Sequence, residues 1–273
     1  MISKPLVKYV LTAALRDKLI MTLVLMIAMG GAISMFLGAA TITEKESFAL
    51  VFGASGLRFL GVLGIVMFCC FYIRRAFETK EVEFLLSRPI SRVGFLVSHG
   101  VAFIVLALCV AAVVCGVVFF LGKPVVAGFE LWSASIAIEY AIMAVAALFF
   151  SLVLASAAGS ALATLGLYVL ARMIGTVLGI AYQAPENFVY AFLNNVIEVI
   201  SIFIPRLDLM GQTTWLVYGV NGSGGFGFTT EAGAYAHIMI ERLGLLGFIS
   251  VQGVIFMALL LAAALFDFLR REF

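Results

Sequence analysis

The sequence predicts an all-α membrane protein with six transmembrane helices and both termini in the cytoplasm. Three observations predict it. The chain of 273 residues is 64% hydrophobic but only 12% charged, where a soluble domain carries about 25% charged residues. Its apolar residues gather into six runs, each long enough to cross a ~30 Å hydrocarbon core at 1.5 Å per residue. The charges concentrate between the runs: Arg74 to Arg92 holds 8 of the 32 formal charges in 19 residues. A segment that polar cannot lie in hydrocarbon. Residues 1–273 read as one membrane domain.

Residues 2–18 precede the first span. Lys8, Thr12 and Arg16 share one helical stripe, and Leu6, Val10 and Ala14 share another. That is the pattern of an amphipathic helix lying in the interface. A signal peptide is the competing reading, from the positive start and the small residues Gly38-Ala39-Ala40. The apolar run from Leu19 to Leu37 is longer than a usual h-region, which favours a retained span. Span one covers residues 19–39, and Thr41 to Ser47 is a short polar loop. Span two covers 49–73 and carries Arg58. The charged island follows, then span three at 93–121, which Gly122-Lys123-Pro124 breaks. Span four, 131–154, contains Glu139. A small-residue turn from Ala155 to Ser160 leads to span five, 161–182, which contains Arg172. Span six covers 244–266, and the chain ends in Asp267-Phe268-Leu269-Arg270-Arg271-Glu272-Phe273.

Six spans put both ends on one side, and Lys and Arg choose the side. Lys4, Lys8, Arg16 and Lys18, the island's Arg74, Arg75, Lys80, Arg88 and Arg92, and the terminal Arg270 and Arg271 make eleven on one face. The opposite loops hold four: Lys45, Lys123, Arg206 and Arg242. The positive-inside rule places the eleven in the cytoplasm. This puts residues 183–243 outside. Phe188 to Ile204 is apolar but interrupted by Asn194, Asn195 and Glu198, and Pro205 ends it. It reads as a re-entrant or interfacial helix, because a seventh crossing would carry the C-terminal arginines outside. Thr213 to Val220 and Phe226 to Thr230 form a candidate hairpin around Asn221-Gly222-Ser223-Gly224-Gly225, with an interfacial loop as the equal alternative.

The motifs exclude several chemistries. Gly222-Ser223-Gly224-Gly225-Phe226-Gly227 matches the dinucleotide fingerprint in letters, but no βαβ unit surrounds it. Asn221-Gly222-Ser223 matches a glycosylation acceptor and reads more simply as a turn. No Walker A sequence occurs, so the chain has no nucleotide cradle of that kind and is not expected to be an enzyme. Cys69, Cys70, Cys109 and Cys115 all fall in apolar runs and read as small buried hydrophobes. The two histidines lack metal-ligand spacing, and His99 reads as an interfacial or packing residue. Net charge of +2 gives no argument for nucleic acid.

Arg58, Glu139 and Arg172 carry a sharper signal. A charge at the middle of a span costs about 2.5–3.5 kcal/mol on insertion scales, so none should face lipid alone. Counted from the span ends, the three lie at depths matching within about one turn, ~5 Å. The expectation is an ionic cluster in the outer half, with Glu139 paired to Arg172 or Arg58. It serves either as a gate or substrate contact or as a clamp between helices. In span five, Gly175-Thr176-Val177-Leu178-Gly179 is a G-x-x-x-G match that lets helices approach closely.

The island also has internal order. Phe77, Val82, Leu85 and Leu86 give one amphipathic helix over residues 76–87 an apolar side, and Glu78, Glu81 and Glu83 a charged one. Pro89 pushes Arg88 out of helical geometry, so the helix stops near Ser87. Ser91 then suits the cap of the next helix. The run Glu81-Val82-Glu83-Phe84-Leu85-Leu86-Ser87-Arg88-Pro89-Ile90-Ser91-Arg92 resembles permease subunits of ABC-2 type transporters. In these an acidic amphipathic helix ending in a Leu-Leu-Ser-Arg-Pro-like run joins spans two and three. The basic N-terminal segment, the six-span layout, the extended stretch before span six and Ile204-Pro205-Arg206-Leu207-Asp208 agree with it.

The resemblance implies a permease, most simply an exporter, in a bacterial-type inner membrane. It would pair with a second identical or homologous copy above two cytoplasmic ABC ATPase subunits. Phe77, Glu78, Glu81, Val82, Glu83, Leu85, Leu86 and Arg88 would form the coupling helix that fits a cleft in the ATPase. ATP and Mg would belong to that partner, with no cofactor in this chain. The substrate path would run between the copies, beside spans two and five, and residues 187–204 would belong to the outer gate. Membrane lipid and an accessory external protein complete the implied partners. Two rival readings use the same layout: an ion-coupled transporter or channel working through Glu139, and a scaffold that moves nothing.

Overall fold

The computed structural model describes residues 3–40, 45–87, 91–122, 124, 126–183, 188–217 and 234–270. These residues form helices and, among themselves, no strand: α1 Lys4–Arg16, α2 Lys18–Ala40, α3 Lys45–Glu78, α4 Glu81–Leu86, α5 Arg92–Leu121, α6 Val126–Val153, α7 Ala157–Gln183, α8 Phe188–Phe203, α9 Leu207–Leu216 and α10 Ala234–Arg270. Six of them, α2, α3, α5, α6, α7 and α10, are long and apolar enough to cross a membrane. This is the layout of a multi-pass membrane protein.

The bundle is built around α6, whose most apolar window is 72% buried, against 28% for α2 and 22% for α10. The difference follows from position, because α6 packs against α3, α5, α7, α9 and α10. Ala141, Ala144, Ala146 and Ala147 on α6 are fully or nearly buried, and small residues let neighbouring backbones close in. By contrast α2 turns Met21, Leu25, Met29, Ile33 and Phe36 outward, and α10 turns Val254, Ile255, Leu259 and Phe266 outward. In a membrane that outer surface faces acyl chains without penalty.

The amphipathic stripe of the first helix is used as its spacing predicts. Leu6, Val10 and Ala14 are buried, while Lys8, Thr12 and Arg16 are exposed. The backbone N–H of Ser3 donates to Ser98 Oγ at 2.9 Å, fastening the start of α1 to α5. Asp17 sits extended between α1 and α2, and its side chain accepts from the N–H of Leu19 at 2.9 Å. It fills the capping role at the start of α2. Ser91 does the same for α5, accepting from the N–H of Gly94 at 3.1 Å.

Three expectations need correction. The island is not one helix over 76–87. Instead α3 continues from the span through Arg74 and Arg75 to Glu78, the chain reverses at Thr79-Lys80, and α4 begins at Glu81. Lys80 takes the left-handed conformation, φ 55°. Burial explains the break. Ala76 and Val82 are buried, and Phe77 and Leu85 pack against the same core. A straight helix would carry Val82 and Leu85 some 7–12 Å beyond Phe77, off the end of the bundle. Secondly, Thr213–Leu216, read as the start of a candidate strand, is the last part of helix α9. Leu207, Leu209, Met210, Thr213 and Thr214 are all buried, and their spacing is helical. Thirdly, an additional helical stretch from Ala234 precedes span six, whose expected start at 244 falls on a break, Gly244 with φ 73°. Only glycine takes that conformation freely. The glycine-rich run 221–227 and the second candidate strand, 226–230, lie outside the described residues, as do Arg88, Pro89 and Ile90.

Candidate functional site

Two places in the molecule collect the residues that the sequence singled out. The first is a buried ionic cluster where α3, α6, α7 and α9 meet. Arg58 on α3 and Glu139 on α6 are both 0% exposed. They form an ion pair, in which Arg58 Nε donates to Glu139 Oε2 at 2.6 Å and Nη2 also contacts that oxygen. The rest of the guanidinium is engaged too. Its Nη2 donates to Ser135 Oγ at 3.2 Å, and Nη1 reaches Thr213 Oγ1 at 3.3 Å and Thr214 Oγ1 at 3.5 Å. The other carboxylate oxygen of Glu139 accepts from the Tyr168 hydroxyl at 2.9 Å. Tyr140 donates to the carbonyl of Arg58 at 3.0 Å, fixing the helix that carries it. A Cβ on Gly61 would meet the Tyr140 hydroxyl, so glycine there admits the tyrosine.

Arg172 lies beside this cluster rather than in the ion pair. Its guanidinium donates to the carbonyl of Leu207 at 3.1 Å and stands over the Tyr168 ring, 5.5 Å from the centroid. It therefore reaches Glu139 through Tyr168. Sequence reasoning missed Ser135, Tyr168, Thr213 and Thr214. Ser135 and Tyr168 were legible, since each stands four residues before a charged residue on the same helix face. Thr213 and Thr214 were hidden by the strand reading.

A second polar group fixes the turn between α8 and α9. Arg206 is 1% exposed and clasps Asp208 with Nε at 2.9 Å and Nη2 at 2.7 Å. Although counted among the loop cations, Arg206 is a neutralised core group. A Cβ on Gly175 would meet the Asp208 carboxylate, and one on Gly211 would meet Arg172. The G-x-x-x-G glycine of α7 therefore makes room for this turn. From α10, the Gln252 side-chain carbonyl accepts from the N–H of Arg206 at 3.1 Å, and its amide reaches the carbonyls of Ser201, Ile202 and Ile204 at 3.2–3.4 Å. Those carbonyls lie at the end of α8, where helix acceptors lack intrahelical partners.

Arg58 and Glu139 neutralise each other, and each oxygen of Glu139 has a donor. Neutralisation of this kind is what allows charge at membrane depth. Polar contacts therefore reach α9 at both ends, from Arg172 and Gln252 at its start and from Arg58 and Ser135 at Thr213 and Thr214.

The second place is the island. Of the residues expected to contact a partner, Val82 is buried and Phe77 and Leu85 are half-buried against the protein's own core. Glu78 and Glu83 are exposed, and so is Phe84, at 60%. Glu81 accepts a hydrogen bond from the Tyr9 hydroxyl at 2.8 Å, joining α4 to α1. That bond, followed by desolvation and the Glu81 charge, pushes the Tyr9 phenol above its ordinary value. Arg75 pairs with Asp17 at 2.8 Å, tying the end of α3 to the α1–α2 junction. The surface offered outward is thus charged, with Glu78 and Glu83 beside Lys80, and carries one aromatic ring, Phe84.

Other candidates are structural. His99 is buried among Tyr72, Phe95 and Phe103, with Nδ1 2.9 Å from the Phe95 carbonyl. Cys69 and Cys70 are buried, but Cys109 faces outward from α5, unlike the small buried residue expected. Among the described residues no group of three His, Cys, Asp or Glu stands close enough to hold a metal. Compared with family models and with curated proteins, the chain matches none.

Proposed function

We propose that this chain is the permease subunit of an ATP-driven transporter of the ABC-2 type, most simply an exporter. It would form the substrate pathway with a second copy or a homologue, above two cytoplasmic ATPase subunits that supply ATP and Mg. The observation that carries the reading is the island between α3 and α5. A plain connection needs only a few polar residues. This one reverses at Lys80, adds the separate helix α4, and braces it to α1 through Tyr9 and Glu81. A braced, charged projection at the end of a long span is suited to receive force and pass it along α3. The charge bias of the sequence supports a cytoplasmic position for it in a bacterial-type inner membrane, with the α8–α9 turn re-entering from the opposite side. An accessory external protein is compatible with that arrangement.

The docking face differs from the one drawn from sequence. Phe77, Val82 and Leu85 are engaged with the core, so Phe84 would be the apolar anchor, and Glu78 and Glu83 would set the register against basic residues of the ATPase. The test is co-purification with an ATPase encoded beside this chain. Wild type should retain the ATPase, and Phe84→Asp/Glu83→Lys should insert normally and lose it. Retention by that variant, or no ATPase bound by well-expressed wild type, would remove the reading. Flux driven by an ion gradient without any ATPase would then favour the reading in which Glu139 carries the coupling.

A further inference from the structure

We propose that the trough between α1 and α5 is a binding site for an anionic phospholipid. The trough has a volume of about 370 Å³ and is lined by Lys4, Val7, Lys8, Leu11, Thr12 and Leu15 of α1 and by Val101 of α5. That volume is in the range of small-ligand sites. Its lining is divided by chemistry. Lys4 and Lys8, one helical turn apart and both exposed, give the cationic part. Val7, Leu11 and Leu15 with Val101 give the apolar part, and Leu15 is 72% exposed. Val101 lies nine residues into α5, about 13.5 Å along the helix from Arg92, within the apolar run of that helix.

Charge selects the occupant. Neither lysine forms an ion pair among the described residues, and α1 contains no acidic residue. The acidic groups nearby are already engaged: Asp17 with Arg75, and Glu81 with Tyr9. A phosphodiester with net negative charge meets both ammonium groups while its chains cover Leu11, Leu15 and Val101. A zwitterionic lipid would bring an uncompensated ammonium to the same place, and free phosphate would leave the apolar part open to water. This inference depends only on insertion in a membrane, not on the transporter reading.

The experiment uses the full chain in nanodiscs of phosphatidylcholine, with or without roughly one phosphatidylglycerol in five, and counts bound lipid by native mass spectrometry. Wild type should retain phosphatidylglycerol in preference to phosphatidylcholine. Lys4→Gln and Lys8→Gln should each lower that preference roughly fivefold, the usual effect of one lysine at an anionic surface. Arg16→Gln, a cation on the same helix outside the trough, should leave it nearly unchanged. The proposal is overturned if Arg16→Gln has the same effect as the lysine variants, because diffuse surface charge would then be responsible. It is equally overturned if wild type shows no preference, or if inorganic phosphate displaces the lipid at matched concentration.

Discussion

At the scale of single residues, the cluster at Arg58 makes the most demanding prediction. Breaking a buried ion pair from one side leaves the other charge uncompensated, at a cost of about 3–5 kcal/mol. Glu139→Ala should therefore lower the unfolding free energy in detergent by about that amount. Arg58→Met combined with Glu139→Leu should recover most of it, because no charge is left stranded. A double-mutant cycle showing additive losses would contradict the pairing. Tyr9 gives a second prediction, in pH. Its phenol donates to Glu81, and its folded pKa lies above the ordinary value. A raised value means that the contact stabilises the fold below about pH 10, the unfolded value, and is lost as pH climbs through the folded one. Absorbance titration should show Tyr9 ionising later than a free tyrosine, and Glu81→Gln should return it toward the ordinary range. The residues on which these predictions rest were unevenly legible. Arg58 and Glu139 announced themselves, since charge in an apolar run must find a partner. Which arginine Glu139 would choose was not legible, because helical spacing fixes depth but not the rotation of one helix against another.

At the scale of elements, the α8–α9 turn shows how tightly one helix is fitted to another. Gly175 on α7 faces the Asp208 carboxylate with no room for a side chain. Gly175→Val should push the turn away and cost about 1–3 kcal/mol, the usual penalty of overpacking. Gly166→Ala, in the same helix and with nothing within 4 Å of an added Cβ, is the control and should be near neutral by thermal unfolding. The G-x-x-x-G pattern signalled close approach but not its object. The approaching element is the cage of Arg206, Asp208 and Gln252 around a helix end, assembled from segments 44 residues apart in the case of Asp208 and Gln252. The island is a parallel case. Ser91 fixed where α5 begins, but the break at Lys80 arose from the need of Phe77, Val82 and Leu85 to reach one core.

At the scale of the whole molecule, the six apolar helices and the distribution of Lys and Arg define a topology that labelling can check. In a chain with its four cysteines replaced, Ser87→Cys should react with a membrane-impermeant maleimide only from the cytoplasmic side, and Ser223→Cys only from the opposite side. The same side for both would remove the six-crossing arrangement, and with it the assignment of the island to an ATPase. The outward-facing apolar surfaces of α2 and α10 need no such test to be understood. Lipid solvates them, so exposure that would threaten a soluble protein carries no cost here.

The sequence by itself determined the helical class, the six apolar helices, the amphipathic stripe of α1 and the presence of charges that require burial together. All of these follow from local chemistry: hydrocarbon thickness, backbone hydrogen bonding without water, and helical periodicity. Only the tertiary structure decided that Arg58 rather than Arg172 holds Glu139, that Thr213 and Thr214 lie on a helix completing the cluster, and that the apolar side of the island turns inward and leaves Phe84 outside. Those outcomes depend on helix rotation and on contacts between distant segments, and neither is written in the spacing of residues along one chain.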